Sequence, residues 1–348
     1  MASSSNTKIT FASPELARNW VKVLAQYREP DTWRSVFELL VTLIPFLLLW
    51  ALAWWLLTVS PWLALAVAIP NGMFLVRIFI VQHDCSHGGF FKSKRVSDWV
   101  GRVFGVLTLT PFGVWQRTHM LHHSMSGNLD QRGIGDVYTM TVDEYYSQSF
   151  YSKIVYRLGR HPLILFGLGP IYLFVLQNRI PVGLMTAGKK YWISAMGTNL
   201  SIAAVLAILY AFGGLAPIVW IFFPTLYVAA SIGVWLFYVQ HQFEGTHWDN
   251  KADWQLHEAA LHGSSHYDLP PVLMWLTGNI GIHHVHHLYS RIPFYRLTEV
   301  LRDYPALANS QQRLTIIESL RSVKLHLWDE QTRKLVSFAD ARKLHFAV

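Results

Sequence analysis

Long apolar runs alternate with polar segments along this chain of 348 residues. Four runs stand out, at residues 37–59, 62–81, 192–212 and 217–239. Each is about 20 residues long, which is enough for a helix to cross the roughly 30 Å hydrocarbon core of a bilayer. The turns that separate them, Ser60-Pro61 and Gly213-Gly214, are very short. The pattern therefore predicts four transmembrane helices arranged as two hairpins.

The remaining segments are of mixed polarity. They are a polar N-terminal arm at residues 1–35 and two larger segments at 82–191 and 240–348. Apolar stretches at 100–115 and 162–176 are short for spans, so we expect buried or interfacial segments there. Helices are expected at 297–304 and 310–322. No internal repeat stands out, and residues 1–348 are predicted to form a single all-α membrane domain.

Lysine and arginine are distributed unevenly over these segments. Of the 29 such residues, all except Arg77 lie in the arm and the two larger segments, and none lies in the interspan turns. The side of a membrane that carries more Lys and Arg is normally cytoplasmic. We therefore expect residues 82–191 and 240–348 to form a cytoplasmic helical cap, with both termini on the same side.

Composition agrees with a membrane protein. The chain is 52% apolar and 14% charged, which is too apolar for an ordinary soluble domain. The net charge of +8 is explained by membrane topology and by the lipid-facing side, so we do not expect nucleic-acid binding. The single cysteine, Cys85, permits no intramolecular disulfide, and an oxidising compartment is not indicated.

Three short clusters of histidines fall in the cytoplasmic segments. They are His83 and His87; His119, His122 and His123; and His283, His286 and His287. On a helix, residues three and four apart lie on one face. Neutral imidazole is the commonest metal-binding side chain in proteins. Each cluster is therefore predicted to be a chelating face.

Eight imidazoles exceed what one ion binds and suit two metal ions. His241, where the fourth apolar run ends, is the favoured ninth ligand. Imidazole suits iron, copper, zinc or nickel, and the spacing does not choose among them. A second set of residues is interpreted as groups that orient the imidazoles. These are Asp84, Asp130, Asp136, Glu244, Asn279 and His284.

The residues that flank the histidine clusters point to one protein family more specifically than the histidine spacing does. The chain resembles the integral-membrane fatty acid desaturase family, which has HxxxH, HxxHH and HxxHH boxes in this order on a four-span scaffold. Residues 83–88, His-Asp-Cys-Ser-His-Gly, resemble the acyl-lipid branch. Bacterial members are similar over residues 117–123, 126–130, 135–137, 238–244 and 278–288. The resemblance covers most of residues 36–300.

This resemblance implies a centre of two Fe2+ ions held by the box histidines, with His241 as the extra ligand. Reduced iron would activate O2, and a cis double bond would form in an acyl chain of a membrane lipid or thioester. A haem-binding His-Pro-Gly-Gly motif is absent, so we expect electrons from a separate ferredoxin or small cytochrome and its reductase. The expected location is a bacterial inner (plasma) membrane, with the boxes cytoplasmic.

Two alternatives stay open from the sequence. A hydroxylase or ketolase of the same superfamily, acting on alkanes, sterols or carotenoids, would have similar boxes. A non-enzymatic metal- or haem-binding membrane protein is the alternative from another class. A transporter would place its ligands near the middle of its spans, whereas these clusters lie at the predicted span ends.

Overall fold

The computed structural model describes residues 14–133, 135–308 and 313–346, with side chains from residue 19 onward. The helices are α1 (Pro14–Leu24), α2 (Thr32–Leu56), α3 (Pro61–His87), α4 (Lys94–Leu107), α5 (Phe112–Met125), α6 (Val142–Ser147), α7 (Phe150–Gly159), α8 (Leu163–Arg179), α9 (Lys189–Gly213), α10 (Ile218–His241), α11 (Leu256–His262), α12 (Pro271–Leu276), α13 (His283–Leu288), α14 (Leu297–Asp303), α15 (Pro305–Ala308), α16 (Ile316–Ser322) and α17 (Phe338–Phe346). The strands are β1 (His266–Tyr267), β2 (Arg313–Leu314), β3 (Leu327–Asp329) and β4 (Lys334–Val336).

Four helices are long and apolar enough to cross a membrane. They are α2, α3, α9 and α10, and each contains most of one apolar run. The predicted fold class, a mostly helical protein with four candidate spans and a histidine cluster, is confirmed. The described residues contain one further candidate, since α7 and α8 pass the same test together but bend by 60°. The apolar stretch at 162–176 falls almost entirely in α8, the second helix of this pair, just after the bend.

Helix α3 is longer than the apolar run that predicted it. It begins at Pro61, which suits the first helical turn because a missing N–H costs nothing there. It continues six residues past residue 81, to His87, and is capped by Gly88, whose φ of 66° lies in the left-handed region that favours glycine. The first histidine cluster therefore lies in the last two turns of a spanning helix.

Close packing of α3 against α10 brings the two hairpins together. At Gly72, a Cβ atom would lie 2.7 Å from Cβ of Val228 on α10. Only glycine permits this approach. Helices α3 and α10 also contribute Ile78, Val81, Leu236 and Val239 to the largest buried apolar cluster, which continues into the cap. Because both helices end in the cap, their histidines reach the same level.

A buried ion pair joins α2 to α3 among these apolar side chains. Arg77 binds Glu38, and its Nε donates to Oγ1 of Thr42 at 3.0 Å. Its guanidinium also lies 4.1 Å from the ring centre of Trp275. Both charged side chains are almost completely buried. The pair neutralises two charges that would otherwise oppose burial at this depth.

Replacing Glu38 by glutamine is expected to destabilise the fold by about 3–5 kcal/mol, because Arg77 would stay buried without its partner. Thermal unfolding in detergent measures the change. Asp98→Asn is the matched control, since its pair with Lys94 is exposed and is worth about 1 kcal/mol or less. Equal melting temperatures for Glu38→Gln and Asp98→Asn would contradict the expectation.

The cap is less purely helical than the sequence predicted. Strands β1 and β2 pair in parallel, and β3 and β4 pair antiparallel. In place of a helix over 310–322, β2 precedes α16, which begins after its N-cap Thr315 and is stabilised by a capping box between Thr315 and Glu318. Residues 309–312 lie outside the described residues, as do residues 1–13 of the predicted arm.

Both ends of the described chain pack on the cap. In α1, the buried Trp20 packs edge-on against Tyr304, with ring centres 5.2 Å apart. Near the other end, the carbonyls of Ser322 and Leu325 accept hydrogen bonds from the hydroxyl of Tyr238 on α10. The residues around Ser322 and Leu325 therefore pack against the cap-side end of α10.

Candidate metal centre

Four helices bring the histidine clusters together. His83 and His87 lie at the end of α3, and His241 is the last residue of α10. The second cluster lies in the last two turns of α5, and the third is the start of the short helix α13. Side chains that are about two hundred residues apart in sequence thus converge at one depth of the fold.

The nine histidines predicted as ligands form two groups. The first group is His83, His87, His119, His123 and His286. The second group is His122, His241, His283 and His287. Within each group, one ring nitrogen per residue lies within 4.8 Å of all the others. Two adjacent sites with five and four imidazoles fit the expectation of two metal ions.

On α5 and α13, the position of each histidine along the helix decides to which of the two groups it belongs. His119 and His123, four apart, belong to the first group, and His122 between them belongs to the second. On α13, His286 belongs to the first group, and His283 and His287 belong to the second. Sequence spacing predicted each cluster as one chelating face, but the fold makes α5 and α13 contribute to both sites.

The ring nitrogens in each group face one another as ligands of one ion would. Nε2 of His123 lies 3.1 Å from Nε2 of both His119 and His286. Nε2 of His241 lies 3.1 Å from Nε2 of both His122 and His283. Two nitrogens bound at right angles to one ion, each at about 2.1 Å, would lie about 3 Å apart.

Several buried ring nitrogens also have no hydrogen-bond partner among the described residues. They include Nε2 of His83, His87 and His287. A buried polar atom without a partner is costly, and an ion that accepts its lone pair removes that cost. The donor set, all imidazole, suits iron as well as zinc, copper or nickel. The residues present therefore fit a two-metal centre.

Burial keeps these imidazoles in the form that binds metal. It lowers the pKa of His119, His123 and His286 well below the usual histidine value, and neighbouring imidazoles lower the pKa further. The pKa values of His283 and His287 are lowered for the same reasons. These side chains are therefore neutral at neutral pH, with a nitrogen lone pair free to bind a cation.

Two of the predicted orienting residues contact a histidine directly. Asp84 Oδ1 lies 3.0 Å from Nδ1 of His83, and its Oδ2 accepts a hydrogen bond from the backbone N–H of Phe294 at 2.6 Å. Asp136 bonds Nδ1 of His122. A carboxylate that accepts a hydrogen bond from Nδ1–H fixes the tautomer and directs Nε2 toward the metal position.

The other predicted orienting residues lie further from the ligand nitrogens. Asp130 is exposed and accepts a hydrogen bond from the backbone N–H of Lys251. Glu244 is exposed. Asn279 donates to the carbonyl of Phe294, and Nε2 of His284 lies 3.0 Å from the carbonyl of Leu307. The described contacts thus link Asp84 and Asp136, but not these four, to a predicted ligand.

A mostly apolar cavity of about 700 Å3 opens beside the two groups. His83, His119 and His283 form part of its wall. One face of α10 lines it through Leu226, Ala230, Gly233 and Phe237. This volume lies within the usual range of ligand pockets, about 300–1,000 Å3. The fold decides which of the chain's many apolar residues line this cavity.

Known proteins resemble this chain over most of its length. The sequence pattern of the fatty acid desaturase family matches residues 60–317. The chain is 44% identical to a fatty acid desaturase of Bacillus subtilis (strain 168), over 91% of this chain and 89% of that protein. It is 29% identical to the sn-1 acyl-lipid omega-3 desaturase (ferredoxin) of Synechocystis, over 65% of this chain and 63% of that protein.

A plant relative is more distant. The chain is 26% identical to the chloroplastic omega-6 fatty acid desaturase of Arabidopsis thaliana, over 77% of this chain and 58% of that protein. The resemblance seen in the histidine clusters is thereby confirmed. With its four apolar helices and its two histidine groups, this membrane protein belongs to the fatty acid desaturase family.

Proposed function

We propose that this protein is an acyl-lipid desaturase that uses O2 and two iron ions to form a cis double bond in an acyl chain. The main support is the position of the two histidine groups on the wall of an apolar cavity. An acyl chain has no polar handle near its middle, so only a shaped apolar cavity can place a chosen methylene beside the metals. A cavity lined by imidazoles without such apolar walls would not support this substrate.

The nine histidines are the proposed ligands, five for one ion and four for the other. When bound there, iron would supply the oxidant derived from O2 that removes one hydrogen from each of two adjacent methylenes. The overall reaction converts the acyl chain, O2, two electrons and two protons into the unsaturated chain and two waters. The protein itself contributes binding, orientation and the exclusion of water.

Individual residues have distinct proposed roles. Asp84 and Asp136 hold the Nδ1 protons of His83 and His122, so that Nε2 of each ring stays available. Trp115 stacks on His119, with ring centres 4.4 Å apart, and also lines the cavity. It thus restricts the ring of a proposed ligand and forms part of the acyl-chain wall.

The electron donor and the side of the membrane on which the metal centre lies are proposed from the names of relatives and from the distribution of charge. The name of the Synechocystis relative specifies an acyl-lipid substrate and ferredoxin, which supports a separate ferredoxin donor here. The excess of Lys and Arg in the cap supports a cytoplasmic location of the metal centre, at the inner membrane of a bacterium. The same excess of positive charge would attract an acidic electron carrier.

The test is lipid profiling of a bacterial host that has a working ferredoxin system, with iron measured in the purified protein. We expect about two irons per chain and a new unsaturated acyl chain that is absent from the empty-vector host. A hydroxylated lipid in its place would favour the hydroxylase alternative. An iron-loaded protein that, given reduced ferredoxin, O2 and lipid, oxidises no acyl chain would overturn the proposal.

Replacing Asp136 by asparagine is expected to lower metal affinity or turnover about 10–100-fold, because a neutral amide accepts a weaker hydrogen bond from Nδ1–H of His122 than a carboxylate does, and its NH2 group can instead favour the other tautomer. Metal content after dialysis against a graded chelator measures the change without turnover. Asp130→Asn is the control, since Asp130 binds the backbone of Lys251. If both variants lost metal at the same chelator concentration, the orienting role of Asp136 would be wrong.

A further inference from the structure

The cavity extends from the level of the spans into the cap. Leu226, on its wall, precedes His241 by about 15 residues, or about 22 Å at 1.5 Å per residue. At the cap side, the wall includes Tyr138, Tyr156 and Arg160. A mostly apolar cavity therefore contacts a cationic side chain at its cap side.

Arg160 is a buried cation without a countercharge. Its side chain is 4% exposed. Within the part of the chain that the structure describes, no carboxylate oxygen lies within the 4.0 Å distance of an ion pair. The other buried arginine among these residues, Arg77, has Glu38 as its partner. A buried, unpaired charge is costly, so an anion at Arg160 would stabilise it.

Arg160 also has hydrogen-bond donors to spare. Its two Nη atoms donate to Oγ1 of Thr139, Oε1 of Gln242 and the carbonyl of Leu325, at 2.9–3.4 Å. A guanidinium has five N–H groups, and Nε is buried with no partner among the described residues. These three neutral acceptors fix the position of the guanidinium but do not neutralise its charge.

The depth of Arg160 agrees with an interfacial ligand. Its partner Gln242 directly follows His241, the last residue of the spanning helix α10, and its guanidinium lies 5.5 Å from the ring centre of Tyr238 on that helix. The apolar run within α10 ends at residue 239, three residues before Gln242, and such a run ends close to where the hydrocarbon core gives way to the headgroup region. Lipid phosphates lie at this level.

We propose that Arg160 binds an anionic phosphodiester oxygen of a glycerophospholipid whose acyl chain occupies the cavity. This rests on the proposed function and narrows its substrate class from acyl lipids in general to phospholipids. Arginine suits the role because its planar fork binds phosphate oxygens with directed, charge-assisted hydrogen bonds. Fixing the headgroup would also fix the distance from the ester to the metal centre. Arg160 is thus a specificity-determining residue.

Lipid binding tests this without turnover. Purified protein in an uncharged detergent is titrated with phosphatidylglycerol and with monogalactosyl diacylglycerol that has the same acyl chains, and complexes are counted by native mass spectrometry. We expect a preference for the phospholipid of about tenfold, as one charge-assisted hydrogen bond implies. Arg160→Gln should remove the preference and leave galactolipid binding unchanged.

Arg157→Gln is the matched control. Arg157 is exposed on α7, three residues earlier, and donates to the hydroxyl of Tyr145 at 2.6 Å. Its loss should leave the preference intact, while Arg160→Lys, which keeps the charge but not the planar fork, should keep part of it. An equal affinity of the wild-type protein for both lipids, or a preference that persists in Arg160→Gln, would overturn the assignment.

Competition by a free fatty acid is the last arm of this binding experiment. If palmitate competed with phosphatidylglycerol at equal concentration in the wild-type protein and not in Arg160→Gln, the bound anion would be a carboxylate and the phospholipid assignment would be wrong. Failure of the proposed desaturation would leave this binding result unaffected, because no metal, O2 or electron donor is used.

Discussion

Replacing His122 by alanine is expected to abolish formation of the double bond and to reduce bound iron from about two ions per chain to about one. His122 belongs to the group of four histidines, so its loss leaves three proposed ligands. The group of five retains its full set. Because Asp136 also loses the ring that it contacts, the change removes both a proposed ligand and a partly buried hydrogen bond.

His284→Ala is the matched control for this prediction. His284 is equally buried, adjoins the proposed ligand His283 on α13, and contacts the carbonyl of Leu307 with Nε2. Its loss should cost stability of about 1–3 kcal/mol but leave iron content near two. Iron is measured in both purified variants, and lipid products are measured in cells. A His122→Ala protein that retains two irons and full turnover would remove His122 from the ligand set.

Filling the cavity at Gly233 is expected to give the second large effect. Gly233 lies on the face of α10 that lines the cavity, and a Cβ built there meets no heavy atom within 4 Å. Gly233→Phe would therefore place a ring in the space that we propose for the acyl chain. We expect turnover of long acyl chains to fall roughly 10²-fold or more, as displacement of a reacting group by about 1 Å can cause, with iron content unchanged.

Gly197→Phe provides the control for steric change alone. Gly197 lies on α9, another candidate span, is exposed, and likewise meets no atom within 4 Å of a built Cβ. Lipid profiles with acyl chains of graded length compare the two variants. Gly233→Phe should retain more activity on the shorter chains, whereas Gly197→Phe should match the wild-type protein. Equal activities of the two variants on the longest chain would show that the cavity is not the acyl-chain site.

The sequence by itself determined the elements and the donor set. Apolar runs of about 20 residues predict spans because the bilayer core fixes the length of helix that can cross it. Regular spacing of His119, His122 and His123 predicts a chelating face because helical geometry is local. The position of His241 at the end of the fourth apolar run favoured it as a ninth ligand, and the fold places it in the second group.

Only the tertiary structure decided which histidines lie together, which charge stays unpaired and where the cavity forms. The division of α5 and α13 between two sites depends on the relative rotation of four helices, and the unpaired charge of Arg160 depends on which side chains pack around it. The cavity forms where apolar faces of neighbouring helices do not pack against each other. Helix spacing is set by neighbours along the chain, whereas these features arise from contacts between residues far apart in sequence, which local pattern does not specify.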